Sequence, residues 1–558
     1  MKKMVYLLLI ISMLYIIPAS ACTTTIVGKD ATTDGSVIVS HSDDDELGDQ
    51  RIVYVPAKDH PPGSMRPVYY DIVSFGNTTN RYVGASRGPA YLNPDLPQSK
   101  PIGYIPQVSH TYAYFDGNYG IMNEHQLMFG ECTNGAKIEL KPKKGERIFY
   151  SAGLSRVALE RCRTARKAVA LMGKLIDKYG YYGTGETLLV GDTQEAWVFE
   201  MCCSPDGKGG FWVAKKVPDN EMFAAANEFR IREITPDMLH TEKLFEKTKK
   251  AGWWDGKEPF DWLRVVSRGE YNHPYYSLRR VWSIFRRAKP SAKFSPWVKD
   301  GFTKAYPFSI KPDKKLSVRD VMAFHRDHYN GTEFDMTKGL AAGPFGSPDR
   351  YIGKYDLTDF PKAKLWGAWE RPITVFYAGY SYINQARGWL PDPIGGISWF
   401  GPDKPYETCY IPFYAGVNDL PRSYQTGSTK KYDRKTAWWA FNFVNNWANL
   451  KYSYMIKDIR TKQKELEDKE FNNQPTIEKK ALTLYEKDPK LTRAYLTKYS
   501  IDNADEVVGQ WWLLANHLIE KYSDGYVNKP EVGREIGYPG KWLQKVGYDK
   551  GPSTYEKR

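Results

Sequence analysis

Residues 4–17, "MVYLLLIISMLYII", form an almost unbroken apolar run between Lys2-Lys3 and Ala19-Ser20-Ala21. A basic start, a short apolar stretch and small residues at its end describe a secretory signal, residues 1–21. The run is too short for a spanning helix, which needs about 18 apolar residues, and no later segment approaches that length. The pattern then turns to β. "CTTTIVG" (Cys22–Gly28) and "SVIVSHS" (Ser36–Ser42) are rich in β-branched residues and flank Asp34-Gly35, a two-residue hairpin signal. Such a hairpin folds residues 41–47 back beside Cys22, with the register open by about two residues. Between Ser155 and Lys178, apolar Val157, Leu159, Cys162, Ala165, Val169, Met172 and Ile176 recur at helical spacing, and Gly180 is a stop. Four short β-type runs follow, "ETLLVGD", "EAWVFEMC", "GFWVAKKV" and "MFAAANEF", and their turn signals predict an antiparallel meander. Residues 253–330 mix aromatic helices and loops. "RPITVFYAGYSYI" (Arg371–Ile383), "GGISWFG" (Gly395–Gly401) and "ETCYIPFYAG" (Glu407–Gly416) return to strands. Thr436–Phe471 and Ala504–Asp524 read as long amphipathic helices. The order suggests an α+β protein, with a mixed region over 22–430 and a helical region over 431–558 packed on it.

Composition narrows the class. With 26% charged and 42% hydrophobic residues, the 558-residue chain is globular. Its formal charge is +14, but Lys and Arg are dispersed among acids without a basic arm. That fits a solvated surface rather than a nucleic-acid partner. The 40 Tyr and 17 Trp fill a core or line a cleft. Cys22, Cys132, Cys162, Cys202, Cys203 and Cys409 are irregularly spaced, so neither a disulfide framework nor a zinc pattern is read. His325 and His328 lack a third ligand at definite spacing. The acidic run from Asp43 to Glu46 lacks the alternation and glycine of a calcium loop. No G-x-S-x-G is present. No metal and no cofactor are expected.

The chemistry that remains centres on Cys22, directly after the leader. A cysteine at a mature N-terminus carries a thiol with pKa of about 8.5 and an α-amine of about 7.7–8.0. The neutral amine takes the thiol proton, so no separate histidine is required. The competing use is lipidation. Against it, Ala19 stands where lipoprotein signals usually carry Leu, and β-type sequence starts at once instead of a polar tether. A buried structural cysteine at a strand start is the third reading. The sequence favours a nucleophile on a protein exported to the periplasm or beyond over a lipid-anchored surface binding protein.

"CTTTIVGKDATTDGSVIVSHSDD" closely resembles the mature start of the cysteine dipeptidases of the dipeptidase A type, relatives of the secernins within the N-terminal nucleophile (Ntn) hydrolases. Five further blocks are similar in the same order: "GIMNEHQLMFGECTNGA", "LLVGDTQEAWVFEM", "WVAKKVPDNEMFAAANEFRI", "HYNGTEFDMT" and "QARGWLPDPIGGISWFG". The helical tail from Ala437 is similar too. The resemblance implies a four-layer αββα Ntn sandwich with a long helical C-terminal region, and hydrolysis of dipeptides or short peptides. A non-peptide acyl amidase of the penicillin V acylase or bile-salt hydrolase type is the alternative within the same chemistry. By resemblance Cys22 is the nucleophile, Asp44 an acid contacting it, Asn227 an oxyanion donor and Arg387 an arginine near the site. Asn123 and Glu131 match motif positions of structural or catalytic role. His41 departs from the pattern: many relatives carry Arg or Lys there, where a positive charge favours the thiolate, and histidine supplies one only when protonated.

Overall fold

The structure, a computed structural model, describes residues 22–45, 48–70, 83–92, 97–269, 274–350, 370–528 and 536–548. The leader expected over 1–21, and Glu46 of the acidic run, lie outside them.

Two antiparallel sheets carry the fold. The seven-stranded sheet runs Ser309–Ile310, Met222–Ala225, Thr23–Val27, Val37–Asp43, Tyr380–Ala386, Gly396–Pro402, Ile411–Tyr414. The eight-stranded sheet runs Leu239–His240, Phe211–Val217, Ala196–Cys202, Gly185–Gly191, Met128–Asn134, Gly120–Asn123, Tyr114–Asp116, Val53–Val55. Thr23–Val27 and Val37–Asp43 pack over Met128–Asn134 and Gly185–Gly191. The approach is close: a Cβ on Gly130 would stand 2.4 Å from Thr24 Oγ1, so only glycine lets the sheets meet there.

Helices Ser151–Arg161 and Ala165–Tyr179 pack against the eight-stranded sheet, Pro274–Ala288 and Val318–His325 against the seven-stranded one. After residue 431, Ala437–Ala448, Tyr452–Lys487 and Pro489–Lys521 pack on one another, and the two longer helices reach Ile411–Tyr414. All three helices share the apolar core of the seven-stranded sheet. Among the described residues no helix is long and apolar enough to cross a membrane. All six cysteines are buried and unpaired.

Several expectations shift in detail. The first two strands do pair, from Thr23↔Ser42 to Val27↔Ile38. Their connection, however, is residues 28–36 with a short 3₁₀ turn, Lys29–Ala31, not a two-residue turn at Asp34-Gly35. Asp34 Oδ1 instead accepts from the Ser36 N–H and hydroxyl, with Gly35 at φ 83°. The helix expected over 155–178 is two helices. Asn123 Nδ2 donates to the carbonyls of Leu159 and Cys162, closing the first. Asp192 accepts from Ala165 N–H and opens the second. Three of the four meander runs neighbour one another in the eight-stranded sheet, but Met222–Ala225 crosses to the other sheet and pairs with Thr23–Val27. The stretch Arg371–Ala378 is not strand; pairing starts at Tyr380. Thr436–Phe471 breaks around Asn449–Lys451.

Candidate active site

Strand register sets the neighbours of Cys22. Continuing Thr23↔Ser42 by one residue places Asp43 opposite it. Continuing Thr24↔Ala225 by two places Asn227 opposite it on the other side. Because side chains alternate along a strand, Cys22, Thr24, His41 and Asp43 face the eight-stranded sheet, while Thr23, Ser40 and Ser42 face the helices. Hydrogen bonds agree: His41 Nδ1 lies 2.9 Å from Glu131 O of the eight-stranded sheet, and His325 Nε2 lies 2.8 Å from Ser40 Oγ on the helix side.

Cys22 Sγ, a His41 ring nitrogen and an Asp43 carboxylate oxygen all lie within 4.8 Å of one another, and all three residues are buried. Asp43 Oδ2 accepts from Asn118 Nδ2, and the Asp43 carbonyl accepts from Gly379 N–H at 2.7 Å. On the helix side, fully buried Arg280 spans the strand starts. Its Nη1 donates to Cys22 O at 2.8 Å and Thr23 Oγ1 at 2.9 Å. Its Nη2 donates to Ala226 O at 3.1 Å and Asn227 Oδ1 at 2.7 Å. One guanidinium therefore fixes Cys22 relative to Asn227, using the planar fork that lysine lacks. Arg371 donates to Asp44 Oδ2, and Ser42 Oγ approaches the same oxygen at 3.3 Å.

The first acids of the run from Asp43 lie inside the protein: Asp43 and Asp44 are 1% exposed. Burial raises Asp44, against the pull of Arg371 and Arg280. Burial, then the charges of Glu131, Asp43 and Asp44, push the Cys22 thiol well above its ordinary value, although the Asp44 N–H favours the sulfur anion. The thiol is therefore protonated near pH 7 and needs a base to react. Burial lowers His41 to about 4, so its ring is neutral. Position 41 supplies a lone pair, not the positive charge that would favour a thiolate.

The structure divides the other residues singled out from sequence. Asn227 stands beside Cys22 in a left-handed conformation, φ 67°, which asparagine tolerates better than most residues. Its Nδ2 donates to Thr133 O at 2.7 Å. Glu131 gives His41 its carbonyl, while burial and Glu186 hold its own carboxyl well above the ordinary range. Asn123 serves the chain: beyond its two helix-end carbonyls, its Oδ1 accepts from His125 and Leu127 N–H. Arg387 is not near Cys22. It follows Tyr380–Ala386 at the end of the strand that pairs with Val37, about 20 Å along the sheet at roughly 3.3 Å per residue. There it donates to Gly395 O, Ile394 O and Glu478. Asp43, Arg280 and Arg371, which the sequence reading passed over, occupy the site instead. The one signal was Arg280 itself: it stands four residues after Tyr276 and four before Ile284, both buried, an arginine on an apolar helical stripe.

Residues 21–465 match Peptidase family C69. A "Probable dipeptidase" of Salmonella dublin is 26% identical over 445 residues, covering 77% of this chain and 88% of that protein. A "Probable dipeptidase" of Latilactobacillus sakei is 25% identical over 432 residues, 76% and 80%. A "Dipeptidase" of Bifidobacterium longum is 22% identical over 454 residues, 76% of each.

Proposed function

The chain belongs to peptidase family C69, the dipeptidase A family of cysteine peptidases, and from that premise we propose that it is an exported dipeptidase whose Cys22, once the leader is cut away, is both nucleophile and N-terminal base. The relatives named dipeptidase support the substrate class. The family match starts at residue 21, and the apolar run of residues 4–17 that reads as a leader precedes it. Two facing sheets with helices on their outer faces are compatible with the αββα Ntn sandwich.

The observation that carries the reading is the setting of Cys22: a buried thiol at a strand start, in line with Asn227 across the sheet and held there by Arg280. The neutral α-amine accepts the thiol proton. The sulfur attacks the peptide carbonyl, and the carbonyl oxygen takes the negative charge beside Asn227. Collapse breaks the C–N bond, and the leaving amine takes the proton back from the α-ammonium. Water then hydrolyses the thioester by the same proton route, releasing the acid and restoring the thiol.

His41 is the second candidate base, because its ring nitrogen lies within 4.8 Å of Cys22 Sγ. A ring that titrates at about 4 takes a thiol proton far less readily than an amine of about 7.7–8.0. The test is a panel of dipeptides and acyl-amides given to the purified protein, with the acyl-enzyme trapped and located by mass. Turnover of dipeptides with the adduct on Cys22 is the expected result. Turnover of acyl-amides alone, or an adduct elsewhere, overturns the reading.

A further inference from the structure

We propose that Cys22, His41 and Asp43 form a binding site for a soft divalent metal ion, Zn²⁺ by ligand chemistry, whose occupation switches the enzyme off. The site stands on geometry. Its effect on turnover rests on Cys22 being the nucleophile.

Three donors of the types zinc takes, a thiol, an imidazole and a carboxylate, have their atoms within 4.8 Å of one another. Among the described residues this is the one place where three Cys, His, Asp or Glu side chains converge so closely. The remaining hydrogen bonds leave the right atoms over. His41 Nδ1 faces the Glu131 carbonyl at 2.9 Å. A carbonyl only accepts, so Nδ1 carries the hydrogen and Nε2 the lone pair. Nε2 is buried and has no hydrogen-bond partner among the described residues. An imidazole N–H tied to a backbone carbonyl is the usual outer support of a metal-bound histidine. Asp43 repeats the arrangement. Asn118 holds Oδ2, while Oδ1 is buried and has no hydrogen-bond partner among the described residues.

The surroundings suit a cation. Asp44 and Asp45 follow Asp43 inside the protein, so two further buried acids neighbour the ligands. The local arginines are committed elsewhere: Arg371 to Asp44, Arg280 to backbone oxygens, Thr23 and Asn227. Tyr119, Tyr380 and Tyr382 ring His41 at centroid distances of 6.0, 6.3 and 5.2 Å, limiting water around the ligands. Three protein ligands leave one tetrahedral position open, which a free Cys22 α-amine fills. The thiol releases its proton on binding, and the sulfur lone pair that would attack a carbonyl is committed to the metal.

The experiment uses untagged protein with its N-terminus verified by intact mass, titrated with Co²⁺ and then Zn²⁺ at neutral pH. One equivalent of Co²⁺ should produce a thiolate-to-cobalt charge-transfer band, which Zn²⁺ bleaches. Dipeptide turnover should fall in step with Zn²⁺ occupancy and return with a chelator. His41→Arg and Asp43→Asn should each weaken binding by more than about 100-fold. Asn118→Ala, an outer support, should weaken it about 10–100-fold. Absence of the band in the native protein overturns the site whatever the variants do, and so do variants that bind like the native chain. No binding alongside Cys22-dependent turnover removes the metal site and leaves the catalytic reading intact. Stoichiometric binding without loss of turnover supports the site and removes Cys22 as nucleophile.

Discussion

The two ends of the seven-stranded sheet each hold a buried arginine beside carboxylates, buried at the Cys22 end and partly exposed at the Arg387 end, and they treat them differently. At the Arg387 end each group meets a partner: two carbonyls and Glu478 for the arginine, His125 and Gln126 for Asp392. At the Cys22 end His41 Nε2, Asp43 Oδ1 and Asp44 Oδ1 are buried with no hydrogen-bond partner among the described residues. Unmet buried polar atoms cost free energy, typically about 1–3 kcal/mol each. A fold keeps them together only where the surroundings over-determine them, as sites of chemistry do. The first end is a tie between sheet and helix; the second gathers unmet polar atoms around Cys22.

The sharpest way to break this contrast is at Asn227. If it donates to the oxyanion, Asn227→Ala should lower kcat by about 10²–10³-fold. A change confined to KM would move it to substrate binding. Arg280 acts through Cys22 and Asn227 rather than on substrate. Arg280→Met should lower kcat by about 10²-fold with KM nearly unchanged, since small misplacements of reacting groups cost that much. Unaltered kcat in a folded Arg280→Met protein would leave the clamp without a role. At the other end, Arg387→Ala should reduce stability by about 1–3 kcal/mol, by orphaning two carbonyls. Its kcat should stay within about twofold of the native value, and a large loss of kcat at full folding would place Arg387 back in the site.

The smallest effect concerns a carboxylate at neither end. Glu200 is fully buried and accepts from Arg230 N–H, Ile231 N–H and Trp262 Nε1, yet burial raises it to about 7. The unfolded group titrates near 4.3, so the folded chain holds an extra proton between the two values. Stability from this group is full below about pH 4.3 and is lost as pH rises through about 7. Glu200→Gln should flatten the fall of denaturant midpoint over that window. The slope is the readout, because the variant also disturbs the three hydrogen bonds. An unchanged slope would mean that other groups set it.

What the sequence shows of this site is what lies close together in it. A cysteine shortly after an apolar run, followed at once by "TTTIV", marks both the proposed nucleophile and its strand, because β-branched composition is a local signal. The acidic run after the second strand is also legible, but not which acid does what. Register decides that Asp43 faces Cys22 while Asp44 turns to Arg371, and a shift of one residue would exchange them. Arg280 and Arg371 come from 258 and 327 residues away from their partners, so nothing near Cys22 announces them. The helix break at Cys162 is hidden for the same reason: its caps are Asn123 and Asp192, from other elements. By contrast Asp488-Pro489 is a written start signal. Asp488 accepts from Lys490 N–H ahead of Pro489–Lys521, an N-cap followed by proline at the first helical position. A helix begun at Ala504 passes over it.

The central claim is that the α-amine of Cys22 is the base. Any residue left in front of Cys22 converts that amine to an amide, which cannot accept the thiol proton. The measurement is dipeptide hydrolysis by a protein carrying an uncleavable extension before Cys22 except for one site-specific protease site, before and after release, with the N-terminus verified by intact mass. Near-inactivity in the folded, extended form and full activity once Cys22 is exposed is the predicted result. Equal activity in both forms would contradict the claim and pass the role of base to His41.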